Sequence, residues 1–326
     1  MQLIHPSVKL ETSDNMILEF MDIIENAGRT CWQSFGKKED QIKKLLCLKS
    51  FDPYSYDGWK NWKVDPFDYT GFDSQTPEGK DWAHRTRLAI RTVNHRFIQH
   101  IIKAGHLSVL EHSAITVRIV TDRAVSHQLV RHRIGSYSQE SQRYVDYNKN
   151  GQIVFILPEG LDLEPGYYEF KEGQQQEYPF KILRFPEKMA LCPRKGESIE
   201  DWPVGIGYLK DRESQAKEVD CSKLSSAHVS MIRAYSDAEE TYQSLRVKGV
   251  KPQDARSVLP NSTKTEIVAT MNISQWRHVL KTRLHPSAQH DIRQIMGIIL
   301  ELFMESPMAI IFKDIKDERK HQDNDD

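Results

Sequence analysis

The chain has 326 residues, 39% of them hydrophobic and 28% charged. That is enough apolar material for a packed core and excludes wholesale disorder. With 45 basic and 46 acidic residues the formal charge is −1, which excludes a generally basic nucleic-acid coat protein but leaves room for a local cationic pocket.

Ser13 or Asp14 is placed to cap a helix running to about Ala27, with Ile17, Phe20, Met21 and Ile24 on one face and Gly28 as its end. Residues 36–80 mix lysines, aromatics, Pro and Gly and read as an irregular insertion. A helix from about Lys80 to Ala104 carries Ile90, Val93, Phe97 and Ile101 at helical spacing, with Gly105 as its stop. The alternation of Ile115, Val117 and Ile119 predicts a strand buried on one face. Asp122 then caps a helix with Val125 and Leu129 inward.

Residues 152–157 read as a further strand, and 158–215 as a second insertion holding at most a short hairpin. A long helix is expected from Ser222 to Lys248, ended by Gly249, and a short one from Pro252. A strand over 265–272 and helices over 273–283 and 286–305 follow. Residues 1–315 thus read as a single domain with two insertions, and 316–326 as a polar, solvated tail. The N-terminus shows no signal peptide, and the apolar stretch around Ile295–Met304 is too short to span a bilayer. The four cysteines, Cys31, Cys47, Cys192 and Cys221, form no C-x-x-C pair and have no zinc spacing. Free thiols in a reducing cytoplasm, with no metal site, are the expectation.

The chemistry concentrates between Gln128 and Tyr144. Arg131, His132 and Arg133 stand in a row, and a loop rich in hydroxyls and amides leads to Arg143. Arginine forks and short hydroxyls suit an anionic, oxygen-rich ligand. Taken alone, three such residues could equally be a solvated helix end favoured by the helix dipole. Trp276 reads as core.

Arg131-His132-Arg133, then Ser141 eight residues on and Arg143-Tyr144, resembles the signature of flavin-dependent thymidylate synthases. His106-x-Ser108-x-x-Glu111-His112, Gln128, Ala255-Arg256-x-x-Leu259-Pro260, Asn272, Arg283 and Ala288-Gln289 with Ile292-Arg293 match the family in order and approximate spacing. Ala27 to Cys31 resembles its N-terminal helix end. The matches span most of the chain outside 36–80 and 158–215.

The resemblance implies an α/β fold of the α+β type: a mostly antiparallel central sheet flanked by helices. It implies reductive methylation of dUMP to dTMP, with 5,10-methylenetetrahydrofolate as carbon donor and FAD, reduced by NADPH, as hydride source. It places dUMP on Gln128, Arg131, Gln139, Glu140, Ser141, Gln142, Arg143, Arg256 and Arg283, with Arg283 activating the uracil. It places FAD on Ser108, Arg131, His132, Arg133, Ile134, Gln139, Asn272 and His278, with His106 near the flavin and folate. It also implies a homotetramer with shared active sites, and no nucleic-acid or membrane partner. No G-x-G-x-x-G is present, so no Rossmann domain is expected. Ser138-Gln139, Ser274, His278 and Cys31 depart from the commoner family pattern and bear on FAD contacts more than on the reaction. Two other readings of the residues stand beside this one: a related methylase or hydroxymethylase of another pyrimidine nucleotide, and a nucleic-acid-binding module.

Overall fold

The computed structural model describes residues 1–46, 77–147, 153–157, 164–172, 180–185, 217–219 and 224–322. It is a mixed α/β protein whose contacts gather into two compact units. The first comprises Met1–Lys9, Val117–Ala269 and Gln289–Ile295; the second comprises Leu10–Thr116, Thr270–Ala288 and Met296–Asp326.

In the first unit, β1 (Gln2–Ile4) pairs parallel with β5 (Val154–Ile156) and antiparallel with β6 (Gly166–Glu172). The antiparallel pairs β6–β7 (Phe180–Phe185) and β7–β8 (Lys217–Glu218) complete a five-stranded sheet. Thus part of the 158–215 insertion is a hairpin; residues 186–216 lie outside the described residues. Helix α5 (Ser226–Val247) starts where the Ser225 hydroxyl accepts from the His228 N–H, and ends before Gly249 at φ +87°. Its Val229, Ile232, Tyr235 and Tyr242 are buried at helical spacing, and Tyr235 stacks on Phe155 at 5.0 Å.

A second sheet has the order β2 (Ser7–Leu10), β3 (Ile115–Asp122), β9 (Lys264–Met271), β4 (Ser136–Gln139). Strand β9 alternates strictly, burying Thr265, Ile267, Ala269 and Met271. Helix α4 (Arg123–Leu129) follows β3 directly, its cap formed by the Asp122 carboxylate accepting from the Val125 N–H at 2.7 Å.

The second unit is helical. Helix α1 (Asp14–Trp32) is capped by Ser13 and buries Ile17, Met21 and Ile24. It does not stop at Gly28. The helix passes through that residue and ends at Gln33, whose left-handed backbone (φ 49°) lets its N–H reach the carbonyls of Arg29 and Thr30. Gly28 is there for close packing: a Cβ would lie 2.7 Å from Phe97 Cε1 and 2.8 Å from Ile101 Cδ1 on α3 (Pro77–Lys103). Nor is the start of the first insertion irregular, since α2 (Phe35–Leu46) is a helix burying Ile42 and Leu45 against Ala89 and Val93. Residues 47–76 lie outside the described residues.

After a 3-10 turn (Leu107–Glu111), the unit continues with α7 (Ile273–Arg283), the C-terminal part of α8 (His290–Glu305) and α9 (Ala309–Gln322). The expected polar tail is therefore helical through Gln322. Just before it, Ile311, Phe312 and Ile315 of the same helix are buried, which anchors the charged residues that follow. Trp276 is wholly buried, edge-to-face with Phe303 and donating to the Ile115 carbonyl at 3.0 Å, so it is core as expected. Arg277, also buried, forks onto Asp314 at 2.8 and 2.6 Å. Among the described residues no helix is long and apolar enough to cross a membrane, and no His/Cys/Asp/Glu cluster could hold a metal. Cys31 is an exposed free thiol; the other cysteines lie outside the described residues.

Gly28→Val is expected to destabilise the protein by about 1–3 kcal/mol, the cost of overpacking the α1–α3 contact. An unchanged denaturation midpoint would show that the contact yields freely. Burial works against the charge of Asp314, but the Arg277 fork and Lys281 outweigh it and hold the carboxyl below its ordinary range. A depressed pKa stabilises the fold above the unfolded-state value of about 3.9 and is lost as pH falls through the folded value. Asp314→Asn should therefore flatten the acid limb of the stability–pH curve and lower stability at pH 7 by about 1 kcal/mol, measured by denaturant unfolding at several pH values.

Candidate functional site

Helix α4 ends with Val130 as its C-cap, and the chain turns through Arg131–Gly135 into β4. The turn is held by a few hydrogen bonds. The Tyr137 hydroxyl reaches the carbonyls of His132 and Leu129 at 2.7 and 3.2 Å. The His132 N–H reaches Leu129 O, and the Arg131 N–H reaches Gln128 O. Burial pushes the Tyr137 pKa up to about 12, so the phenol remains a donor at neutral pH. The alternation of β4 turns Tyr137 and Gln139 inward and leaves Ser136 and Ser138 exposed.

Gln139 ties three elements together. Its side-chain amide donates to Ser126 Oγ on α4 at 2.8 Å and to Thr265 Oγ1 on β9 at 3.1 Å. Arg123 Nη1 reaches the same threonine at 3.4 Å. Glu140 is held more completely. Its backbone N–H donates to Glu266 O, and its two oxygens accept from Tyr147 Oη at 2.8 Å and Lys264 Nζ at 2.6 Å. Burial, and then the adjacent Glu140, raise the Tyr147 pKa and keep that phenol protonated.

Against this frame the arginines are left outward. Arg131, Arg133 and Arg143 are exposed, and among the described residues Arg131 and Arg133 form no ion pair. Ile134 lies between them and the sheet, 67% exposed, an apolar face beside two cations. Such a mixture fits a flat ring system carrying phosphates, which is what a flavin dinucleotide presents. The Ser141 oxygens accept from the N–H groups of Arg143, Tyr144 and Val145, so the chain closes on itself there. The Arg143 guanidinium lies 5.7 Å from the centroid of the exposed Tyr144 ring. Gln128 donates to Gln289 at 2.6 Å, and Gln289 in turn to Asp291 at 2.8 Å.

Arg256 is half-buried on the turn after α6 (Pro252–Ala255), donating through Nε to Gln253 O. Ala255 and Val258 beside it, and Val145 and Tyr147 beyond Arg143, belong to one apolar cluster. In the second unit, Asn272 caps α7, its Oδ1 accepting from the Gln275 N–H at 2.7 Å. His278 is exposed on that helix, and Arg283 is half-buried in its last turn. Ser108 and His106 are exposed at the 3-10 turn, with the His106 ring edge-to-face with Trp32 at 5.3 Å. Thus the structure gathers Gln128 to Arg143 on one loop of the first unit, and carries Ser108, Asn272, His278 and Arg283 in the second.

The sequence reading missed Tyr137, Tyr147, Lys264 and Thr265, which hold the loop through hydrogen bonds within the protein. Their only signal was the alternation of β4 and β9, and nothing local announces pairings such as Gln139 with Thr265.

The model of the thymidylate synthase complementing protein family matches residues 17–306. A flavin-dependent thymidylate synthase from Mycobacterium sp. (strain JLS) is 31% identical over 221 residues, covering 66% of this chain and 68% of its own. One from Geobacter sulfurreducens is 31% identical over 219 residues, covering 67% and 68%. Among solved structures, a UMP/dUMP methylase from Streptomyces cacaoi bound with 5-Br dUMP is 18% identical, with a TM-score of 0.49 over 96% of this chain and 97% of that one. The family match spans nearly the whole described chain and every residue of the cationic loop, and on that ground the chain belongs to the thymidylate synthase complementing protein family.

Proposed function

We propose that this protein is a flavin-dependent thymidylate synthase that converts dUMP to dTMP, with 5,10-methylenetetrahydrofolate as carbon donor and NADPH as reductant. The observation that carries the reading is the loop from Arg131 to Arg143: its backbone is pinned by Tyr137 and Gln139 while its guanidinium groups stay exposed and, at Arg131 and Arg133, unpaired. Rigid donors that need no reorganisation are what an anionic substrate and a developing negative charge require.

In this reading FAD, when bound, supplies the hydride. The protein holds it through Ser108, Arg131, His132, Arg133, Ile134, Gln139, Asn272 and His278, with His106 near its ring. The dUMP phosphate is gripped by Ser141, Arg143 and Arg256 with help from Gln142, and Gln128 and Arg131 flank the nucleotide. Because both Glu140 oxygens and the Gln139 amide are engaged within the protein, these two residues act chiefly by fixing the loop. Arg283 stabilises negative charge on the uracil carbonyls as the ring is attacked, so no cysteine nucleophile is required. The active sites are shared between subunits of a homotetramer in the cytoplasm.

The purified protein is expected to be yellow, to bleach with NADPH, and to turn over dUMP to dTMP when given methylenetetrahydrofolate. A preparation that cannot take up FAD refutes the cofactor assignment, and release of a hydroxymethyl product or turnover of another pyrimidine nucleotide instead refutes the substrate assignment. Arg283→Ala should lower kcat by about 100-fold or more, the typical loss of a charge-stabilising donor, while FAD content stays near that of the parent. Parallel loss of flavin and activity would assign the arginine a structural role.

A further inference from the structure

A cavity of about 480 Å³ opens among α1, α2 and α3 of the second unit, apart from the loop described above. Arg29, Lys37, Lys44, Arg96 and His100 line it, and among the described residues no carboxylate does. Trp32 and Phe97 form an aromatic wall, edge-to-face at 5.8 Å, with Trp32 44% exposed.

Arg29 is the telling residue. It is 2% exposed, its Nε is spent on Glu25 at 2.6 Å, its Nη1 on Ser34 O at 3.1 Å, and its guanidinium lies 4.4 Å from the Phe97 centroid. Its Nη2 has no partner, and neither does the buried Ser34 hydroxyl, which lines the same cavity. A buried guanidinium donor without an acceptor is costly, and Glu25, the nearby acid, is already shared with Lys38. Lys37 and Lys44 line the same cavity and add to its positive charge. One ligand resolves all of these: an anionic group for Nη2, Ser34 Oγ and the lysines, joined to a planar ring that packs on Trp32. Trp32 also touches His106, so the cavity borders the segment that the proposed reading places near flavin and folate.

We infer that this cavity binds the anionic end of a ring-bearing co-substrate. The inference rests on the function proposed above, in which the candidates are the carboxylates of the folate tail and the 2′-phosphate of the nicotinamide nucleotide. Both present the same chemistry: a compact oxyanion tethered to an aromatic system.

The test uses the FAD-loaded protein and titrates four probes by calorimetry: folic acid, its triglutamate form, NADP⁺ and NAD⁺. The double variant Lys37→Glu/Lys44→Glu alters two exposed helix positions, and its melting temperature checks that the fold is kept. If the cavity holds the folate tail, wild type prefers the triglutamate over folic acid and the variant loses that preference. If it holds the 2′-phosphate, the lost preference is that for NADP⁺ over NAD⁺. In either arm the variant should bind the preferred probe about tenfold more weakly, the loss of one to two charge-assisted contacts. Equal affinity of wild type and variant for every probe, or no binding of any probe, overturns the inference. FAD content and dUMP binding, measured in parallel, separate the two levels: their absence in wild type defeats the functional reading, while their presence with unchanged probe affinities defeats only the cavity assignment.

Discussion

The Gln139 amide is the joint on which the site depends. It has two side-chain N–H groups and uses them on hydroxyls from two different elements, Ser126 on a helix and Thr265 on a buried strand face. Ser126 is wholly buried and Thr265 nearly so, so neither can replace a lost partner with water. That makes the joint stiff for its size. Through it, the end of α4 and the edge strand β4 are fixed to β9, and the turn between them inherits the geometry. Tyr137 then settles the turn itself, its one hydroxyl proton shared between the carbonyls of His132 and Leu129.

This division of labour explains how the loop tolerates its own charge. Arg131 and Arg133 stand close in sequence with His132 between them, and mutual repulsion would favour an open loop. The structure does not neutralise them with acids. It holds the backbone with neutral donors and uses its local acids elsewhere: Glu140 on Tyr147 and Lys264, Glu266 on Arg118. Hydrogen bonding from Arg118 holds the Glu266 carboxyl below its ordinary range, so that acid stays charged in its own pair. The cationic edge is thus left exposed.

Much of this was legible in the residues. The Asp122 cap, the alternation of β3, the strand over 265–272, the Gly105 and Gly249 stops and the core position of Trp276 all follow from local rules that the structure obeys. The ordered motif spread over the chain pointed to the family. What was not legible depends on distant partners. Gly28 resembles a helix stop because glycine often is one, yet its reason is the side chains of Phe97 and Ile101, far along the chain. The C-terminal segment looks like a solvated tail by composition. Ile311, Phe312 and Ile315 carry it onto the core and outweigh the charges that follow. The holding residues Tyr147, Lys264 and Thr265 are ordinary by type, and only the pairing of β4 and β9 in one sheet gives them their roles.

The arginines sort by what their donors meet. Arg277 is buried and forked onto Asp314, with the Ile311 carbonyl also accepting; its part is to seat α9. Arg246 does likewise with Asp146 at the end of α5, at 3.0 and 2.6 Å. Their charges answer to acids and carry no ligand chemistry. Arg131 and Arg133 are the opposite case, exposed on a fixed backbone and unpaired among the described residues. Arg29 is intermediate: buried like Arg277, held by an acid like Arg246, and still left with its Nη2 unpartnered in the wall of a cavity. An unmatched donor alone does not mark a ligand residue, since the buried Arg277 also leaves its Nε without a partner. What sets Arg29 apart is that its open donor and the unpartnered Ser34 hydroxyl line one cavity with Lys37 and Lys44, whereas both Arg277 Nη atoms are taken by Asp314 and the Ile311 carbonyl.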